Sequence, residues 1–113
     1  MYELITPPNY YDYDKVERDT WGCGPGGLGD YLVPDTVYGL SVKPACQRHD
    51  CHYRFDKDKN EVTRKVADDE FLKNMQIIVD ATTNTWLLRR LRFTRCRTMY
   101  WAVRRFGKGA YYG

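Results

Sequence analysis

Between Cys46 and Tyr53 the chain reads Cys46-Gln47-Arg48-His49-Asp50-Cys51-His52-Tyr53. Both of its histidines, two of its four cysteines, an aspartate and a tyrosine fall within these eight positions. Imidazole exchanges protons near neutral pH, and a neighbouring carboxylate can orient the ring or bind a hard cation. Read as helix, Cys46, His49 and Tyr53 recur three and four apart and share a face. Asp50 then sits about 100° round from His49, so a base and a metal ligand stand side by side without competing for space. A second carboxylate, Asp68, shares the apolar stripe of the next helical segment with Phe71, Leu72 and Met75. A carboxylate turned into a core needs a partner. If the two helices pack antiparallel, Asp68 accepts a hydrogen bond from one ring nitrogen of His49. The other nitrogen is left to take a proton from water. Tyr53, one turn beyond His49, is placed to donate its hydroxyl to the same carboxylate. The adjacent Asp69 turns toward Lys73 and Gln76, nearer solvent.

Upstream, Gly22-Cys23-Gly24-Pro25-Gly26-Gly27-Leu28-Gly29 exposes backbone. Gly24, Gly26 and Gly29 have the spacing of a dinucleotide fingerprint. No strand pattern precedes them, however, and Pro34 stands where the helix should run. There is no Gly-Lys-Ser/Thr, so the run is not a P-loop. What remains is presentation of carbonyl oxygens to a hard cation. Calcium takes roughly six to eight oxygens, many from backbone, and Asp50 can add a carboxylate. Asp56-x-Asp58-x-Asn60 begins like an EF-hand but lacks Gly at the sixth place (Glu61) and an acid at the twelfth (Ala67), so it reads as a solvated turn. A zinc site from Cys46, His49, His52 and either Cys51 or Cys23 has suitable ligand types. One helix cannot turn 46, 49, 51 and 52 toward a single ion, and that reading leaves Asp68 and the glycine loop unused.

The elements that must hold these groups are mostly helices. Pro44 suits a first helical turn, and that helix runs to about Phe55. Residues 56–60 form a charged turn. A second helix covers 61–80, with Phe71, Leu72, Met75, Ile78 and Val79 at helical spacing. Residues 82–85 are a break with Asn84 as N-cap. A third helix reaches Phe106, with Leu88, Leu91, Cys96, Met99, Tyr100 and Val103 on one side and Gly107 as its stop. Residues 12–19 allow a short helix, and 21–36 are loop. The expected class is mainly α, in one domain over 1–113.

No apolar run approaches the roughly 18 residues of a membrane span. The N-terminus lacks the basic start and apolar stretch of a signal peptide. The net charge of +3 hides an asymmetry: residues 1–80 carry 10 Lys/Arg against 15 Asp/Glu, and residues 81–113 carry 8 Lys/Arg and no acid. A basic, aromatic C-terminal third suits an anionic membrane surface or a nucleic acid. No nucleic-acid motif is present, so no nucleic-acid partner is expected. The four cysteines leave the redox state open.

Three of these segments together resemble the calcium-dependent phospholipase A2 superfamily: Cys23-Gly24-x-Gly26-Gly27, Cys46-x-x-His49-Asp50-x-x-Tyr53 and Val66-Ala67-Asp68 before Phe71. The third is similar to the short viral and prokaryotic members. The resemblance covers residues 21–80. It implies a phospholipase A2-like fold in which two antiparallel helices carry the His-Asp site after a glycine-rich calcium loop, with a C-terminal helix added. It implies hydrolysis of the sn-2 acyl ester of phospholipids at a membrane interface. His49 would be the general base, Asp68 its orienting carboxylate and Tyr53 the support of Asp68. Calcium would be held by Asp50 and the carbonyls of Gly22, Gly24 and Gly26. A Cys23–Cys46 bridge fits the family's spacing, which leaves Cys51 to pair with Cys96. The amphipathic N-terminal helix usual in the family is not recognisable in 1–20. The basic, aromatic tail (Trp86, Arg89, Arg90, Arg92, Trp101, Arg104, Arg105) stands as the alternative membrane-facing element. A phage or viral product, cytoplasmic or virion-associated, or a protein exported by a non-classical route, fits the lack of a signal peptide. The alternative is a catalytically silent relative that keeps the fold and its calcium or membrane binding.

Overall fold

Three stretches with a helical apolar period form three long helices in the computed structural model, which describes residues 2–21 and 36–113. They are α2 (Lys43–Phe55), α3 (Glu61–Thr82) and α4 (Trp86–Phe106), flanked by short helices α1 (Lys15–Arg18) and α5 (Lys108–Tyr112). The protein is mainly helical. Among the described residues no helix is long and apolar enough to cross a membrane.

Local chemistry sets the boundaries. Pro44 lies in the first turn of α2, where its missing N–H costs nothing. Asn60 and Thr63 cap α3 reciprocally: the Thr63 N–H donates to Asn60 Oδ1 and the Asn60 N–H to Thr63 Oγ1, both at 3.0 Å. Such a cap contributes about 1 kcal/mol. The break before α4 falls one residue later than Asn84 predicts; Thr85 is the N-cap and makes no side-chain cap bond. Gly107 ends α4 in the right-handed region, at φ −80°. Its freedom to turn left-handed is unused, because the chain re-enters helix at once to bury Tyr111.

The link of five residues between α2 and α3 forces the chain to double back. Cys46 near the start of α2 shares a cluster with Met75, and Tyr53 near its end shares one with Ala67. The main core lies between α2, α3 and α4 and contains Ala45, Cys46, Phe71, Met75, Ile78, Val79, Cys96, Met99 and Val103. Leu91 departs from expectation. It is 39 % exposed, and Ala102 lies in the core instead. The inward face of α4 is set by Cys96, Met99 and Val103, and Leu91 lies beyond its edge.

The N-terminal region is not one helix over 12–19. Tyr10–Asp12 is a 3-10 turn, and Asp14 adopts extended backbone and accepts the Glu17 N–H at 2.8 Å. That cap starts a new helix and breaks the old one. Tyr10 and Trp21 pack with Cys51, joined by Tyr13 and Phe55. The extended stretch before them is pinned to α3 through buried Asn74, which accepts from the Ile5 N–H at 2.7 Å and donates to the Ile5 carbonyl at 2.8 Å. A small hairpin, β1 (Thr36–Val37) and β2 (Leu40–Ser41), pairs Thr36 with Ser41 and Val37 with Leu40. It was not anticipated. Its two-residue turn holds Tyr38 at φ +46° and Gly39 at φ +79°, the left-handed pair that a tight hairpin requires.

Cys51 and Cys96 are free thiols, which overturns the Cys51–Cys96 pairing. Cys51 packs beside Tyr10 and Trp21, whereas Cys96 lies in the main core. Burial pushes both thiols up to about 11. Cys46 is fully buried and is not a free thiol. Cys23, its expected partner, lies outside the described residues.

Candidate functional site

The apolar stripe of α3 carries Asp68 inward, and the short α2–α3 link brings His49 and Tyr53 opposite it. His49 Nε2 lies 2.7 Å from Asp68 Oδ1, and the Tyr53 hydroxyl donates to the same oxygen at 2.6 Å. Asp68 is fully buried, and His49 and Tyr53 are nearly so. The imidazole is held between two rings: Phe71 stacks on it with centroids 4.4 Å apart, and Tyr53 lies tilted at 4.3 Å. A carboxylate can only accept, so Nε2 carries the proton, and in the neutral ring the lone pair is on Nδ1. Nδ1 makes no hydrogen bond among the described residues.

The other oxygen of Asp68 is held by residues that the sequence did not suggest. Arg104 Nη1, from the last turn of α4, donates to Asp68 Oδ2 at 2.8 Å. Arg64, one turn before Asp68 on α3, brings a second guanidinium to 3.6 Å. Arg64 is itself buried and fixed by Glu61 and by the carbonyls of Val103 and Arg104. Burial opposes the charge on Asp68. The hydrogen bonds from His49, Tyr53 and Arg104 outweigh it and hold the carboxyl below its ordinary range. Burial, then the hydrogen bond to Asp68, pushes the Tyr53 hydroxyl far up, so it stays a donor. Arg64 could have been inferred from its i, i+4 spacing to Asp68. Arg104 could not, since seven arginines on α4 look alike in sequence.

Asp50 follows His49 on α2 and is also buried. Its Oδ2 accepts from Arg54 Nε at 2.9 Å. Gly22, Gly24 and Gly26, the other expected calcium ligands, lie outside the described residues. Among the described residues no group of three or more His, Cys, Asp and Glu could hold a metal ion. Asp50 is one hard, charged oxygen donor, which fits calcium better than a softer metal. It would suit a site built mainly from backbone carbonyls.

His52 occupies a different arrangement one turn along. Its Nδ1 lies 2.8 Å from Asp56 Oδ1 and its Nε2 3.0 Å from Glu70 Oε1. Asp56 Oδ2 also accepts from the Tyr111 hydroxyl at 2.7 Å, and Lys59 Nζ donates to the carbonyls of Tyr53 and Tyr111 at 2.7 Å each. The 56–60 segment is therefore not merely a solvated turn. It ties α5 to the end of α2 and sets Tyr111 edge-on against Tyr53, ring centroids 4.9 Å apart. The zinc reading finds no support here, since each nitrogen of His52 faces a different carboxylate and His49 faces Asp68.

No protein-family model matches the chain, and no curated protein or solved structure matches it.

Proposed function

We propose that this chain is a calcium-dependent phospholipase A2-type hydrolase, cleaving the sn-2 acyl ester of phospholipids at a membrane interface. The observation that carries the reading is the buried His49–Asp68 pair, with Nε2 committed to the carboxylate and Nδ1 without a partner among the described residues. Two rings fix the imidazole, and Tyr53 and Arg104 fix the carboxylate, so the base is oriented before substrate arrives. The motif likeness of residues 21–80 points the same way.

In this mechanism His49 Nδ1 accepts a proton from a water molecule as the water oxygen attacks the ester carbonyl carbon. Asp68 stabilises the imidazolium that forms and remains ionised, because its donors hold its proton affinity low. The same imidazolium then gives its proton to the departing alkoxide. The tetrahedral intermediate collapses to a free fatty acid and a lysophospholipid. Asp50, with the carbonyls of Gly22, Gly24 and Gly26, would hold calcium. Bound there, the ion would polarise the ester carbonyl and stabilise the oxyanion. Arg54 holds one oxygen of Asp50 from the next turn of α2 and so fixes the carboxylate's orientation.

Fatty-acid release from mixed phosphatidylcholine and phosphatidylglycerol vesicles, in calcium and then in EGTA, tests this. Release that requires calcium is the expected result. No release in either condition, from protein that binds calcium, would replace the enzyme with a silent relative of the same architecture.

A further inference from the structure

The outer face of α4 is unlike the rest of the surface. The helix spans 21 residues, about 31 Å at 1.5 Å per residue. It carries seven arginines and no acid. Three of the arginines are engaged: Arg104 on Asp68, Arg92 on Thr83 Oγ1 and the Tyr38 carbonyl, and Arg89 on Asp80. The other four are exposed and have no ion pair among the described residues; Arg95 turns away from the outer face, which leaves Arg90, Arg97 and Arg105. Helical spacing puts them on one side, interleaved with Trp86, Leu87 and Trp101, which are 73 %, 53 % and 58 % exposed. Leu91 widens this apolar strip. Along one edge, Lys73 and Ile77 of α3 with Phe93 and Arg97 of α4 line a groove of about 470 Å³, whose one acid, Asp80, is already paired with Arg89.

We propose that this face docks on an anionic phospholipid bilayer. The helix would lie flat, its tryptophans and leucines entering the boundary between headgroups and acyl chains, its free arginines meeting lipid phosphates. Exposed indoles favour that boundary because one end of the ring is apolar and the other polar. A nucleic acid would satisfy the arginines and stack on the tryptophans but offers nothing to Leu87 and Leu91. A second copy meeting the same face would set arginine against arginine. The surface narrows the expectation from the C-terminal tail as a whole: Arg89, Arg92 and Arg104 serve the fold, and Arg97 joins the docking face. The proposal rests on the phospholipase reading for its purpose, but binding is measurable without turnover.

The test uses full-length His49→Gln protein in EGTA, so no lipid is consumed. Sedimentation with equal-part phosphatidylcholine and phosphatidylglycerol vesicles is compared with phosphatidylcholine alone, and tryptophan emission is followed. The expected result is binding that needs the anionic lipid, with a blue shift from Trp86 and Trp101; Trp21 is already buried. Arg90→Gln/Arg97→Gln/Arg105→Gln should weaken binding about a hundredfold. Trp86→Ser/Trp101→Ser should weaken it about tenfold. All five side chains are exposed, so circular dichroism should be unchanged. Binding that survives both sets of substitutions overturns the proposal. So does absence of vesicle binding, whether or not the protein binds duplex DNA or self-associates. Wild-type hydrolysis of monomeric short-chain phosphatidylcholine, which needs no bilayer, separates failure of docking from failure of the enzyme reading.

Discussion

His49 and His52 stand three residues apart on α2, both facing carboxylates of α3, yet their surroundings suit opposite purposes. His52 is clamped at both ends, by Asp56 and by Glu70. Neither nitrogen is free to exchange a proton with a substrate, and the ring acts as a strut between two helices. His49 has one nitrogen on Asp68 and one without a partner among the described residues. Its carboxylate in turn is held from three sides, by Tyr53 and by two arginines. The contrast teaches that counting acidic neighbours does not identify a base. What matters is whether a lone pair remains after the partners are satisfied.

The largest expected effect is at His49. His49→Gln should keep the fold and lower turnover by roughly 10²–10⁴-fold, the usual contribution of a positioned base. Asp68→Asn comes next and acts on both levels. It takes away the charge that half-buried Arg104 and buried Arg64 share, leaving Glu61 as the partner of Arg64, which should cost about 1–3 kcal/mol of stability. It also lets His49 take the wrong tautomer, so turnover should fall even where the variant folds; unfolding curves and kcat on one preparation separate the two. Asp50→Asn should weaken calcium binding and turnover together, and unchanged calcium affinity by titration calorimetry would remove Asp50 from the site.

His52→Gln inverts the pattern. Stability should drop by about 1 kcal/mol, because the half-buried carboxylates of Asp56 and Glu70 lose the ring that joins them, while turnover stays within a few-fold. His52 also gives the fold a pH signature. Burial opposes its charge, but Glu70 and Asp56 outweigh that and raise its proton affinity. A raised value in the folded state means the stabilisation is fully present below the ordinary histidine range, about 6.5. It is lost as pH rises through the folded value. Denaturant midpoints in EGTA should therefore fall over that interval in wild type and stay flat in His52→Gln. The smallest effect belongs to Tyr53→Phe, which removes one of several donors to Asp68. It should cost about 1 kcal/mol and shift kcat only slightly.

Much of this arrangement is legible in the sequence because it depends on helical period. Asp68 stands out as a charge on an apolar stripe, and Tyr53 falls one turn from His49. The helix ends follow from Pro44, the charged turn at 56–60 and the break at 82–85; the Asn60 cap on α3 does not. What escapes is set by tertiary approach. Arg104 reaches Asp68 only because α4 packs beside α3, and nothing in its local sequence sets it apart from the exposed Arg105. The cation count on α4 looks uniform, yet packing turns some arginines into struts and leaves others to solvent. The hairpin at 36–41 escapes because two-residue strands are too short to show alternation. The free Cys51 and Cys96 escape because pairing by elimination ignores which side of α2 each thiol meets.

Fatty-acid release in calcium by wild type, His49→Gln and His52→Gln, measured on the same vesicles, tests the central claim most directly. The account predicts release by wild type and His52→Gln and almost none by His49→Gln, with all three folded. Release by His49→Gln at the wild-type rate would contradict it and take the chemistry away from the His49–Asp68 pair.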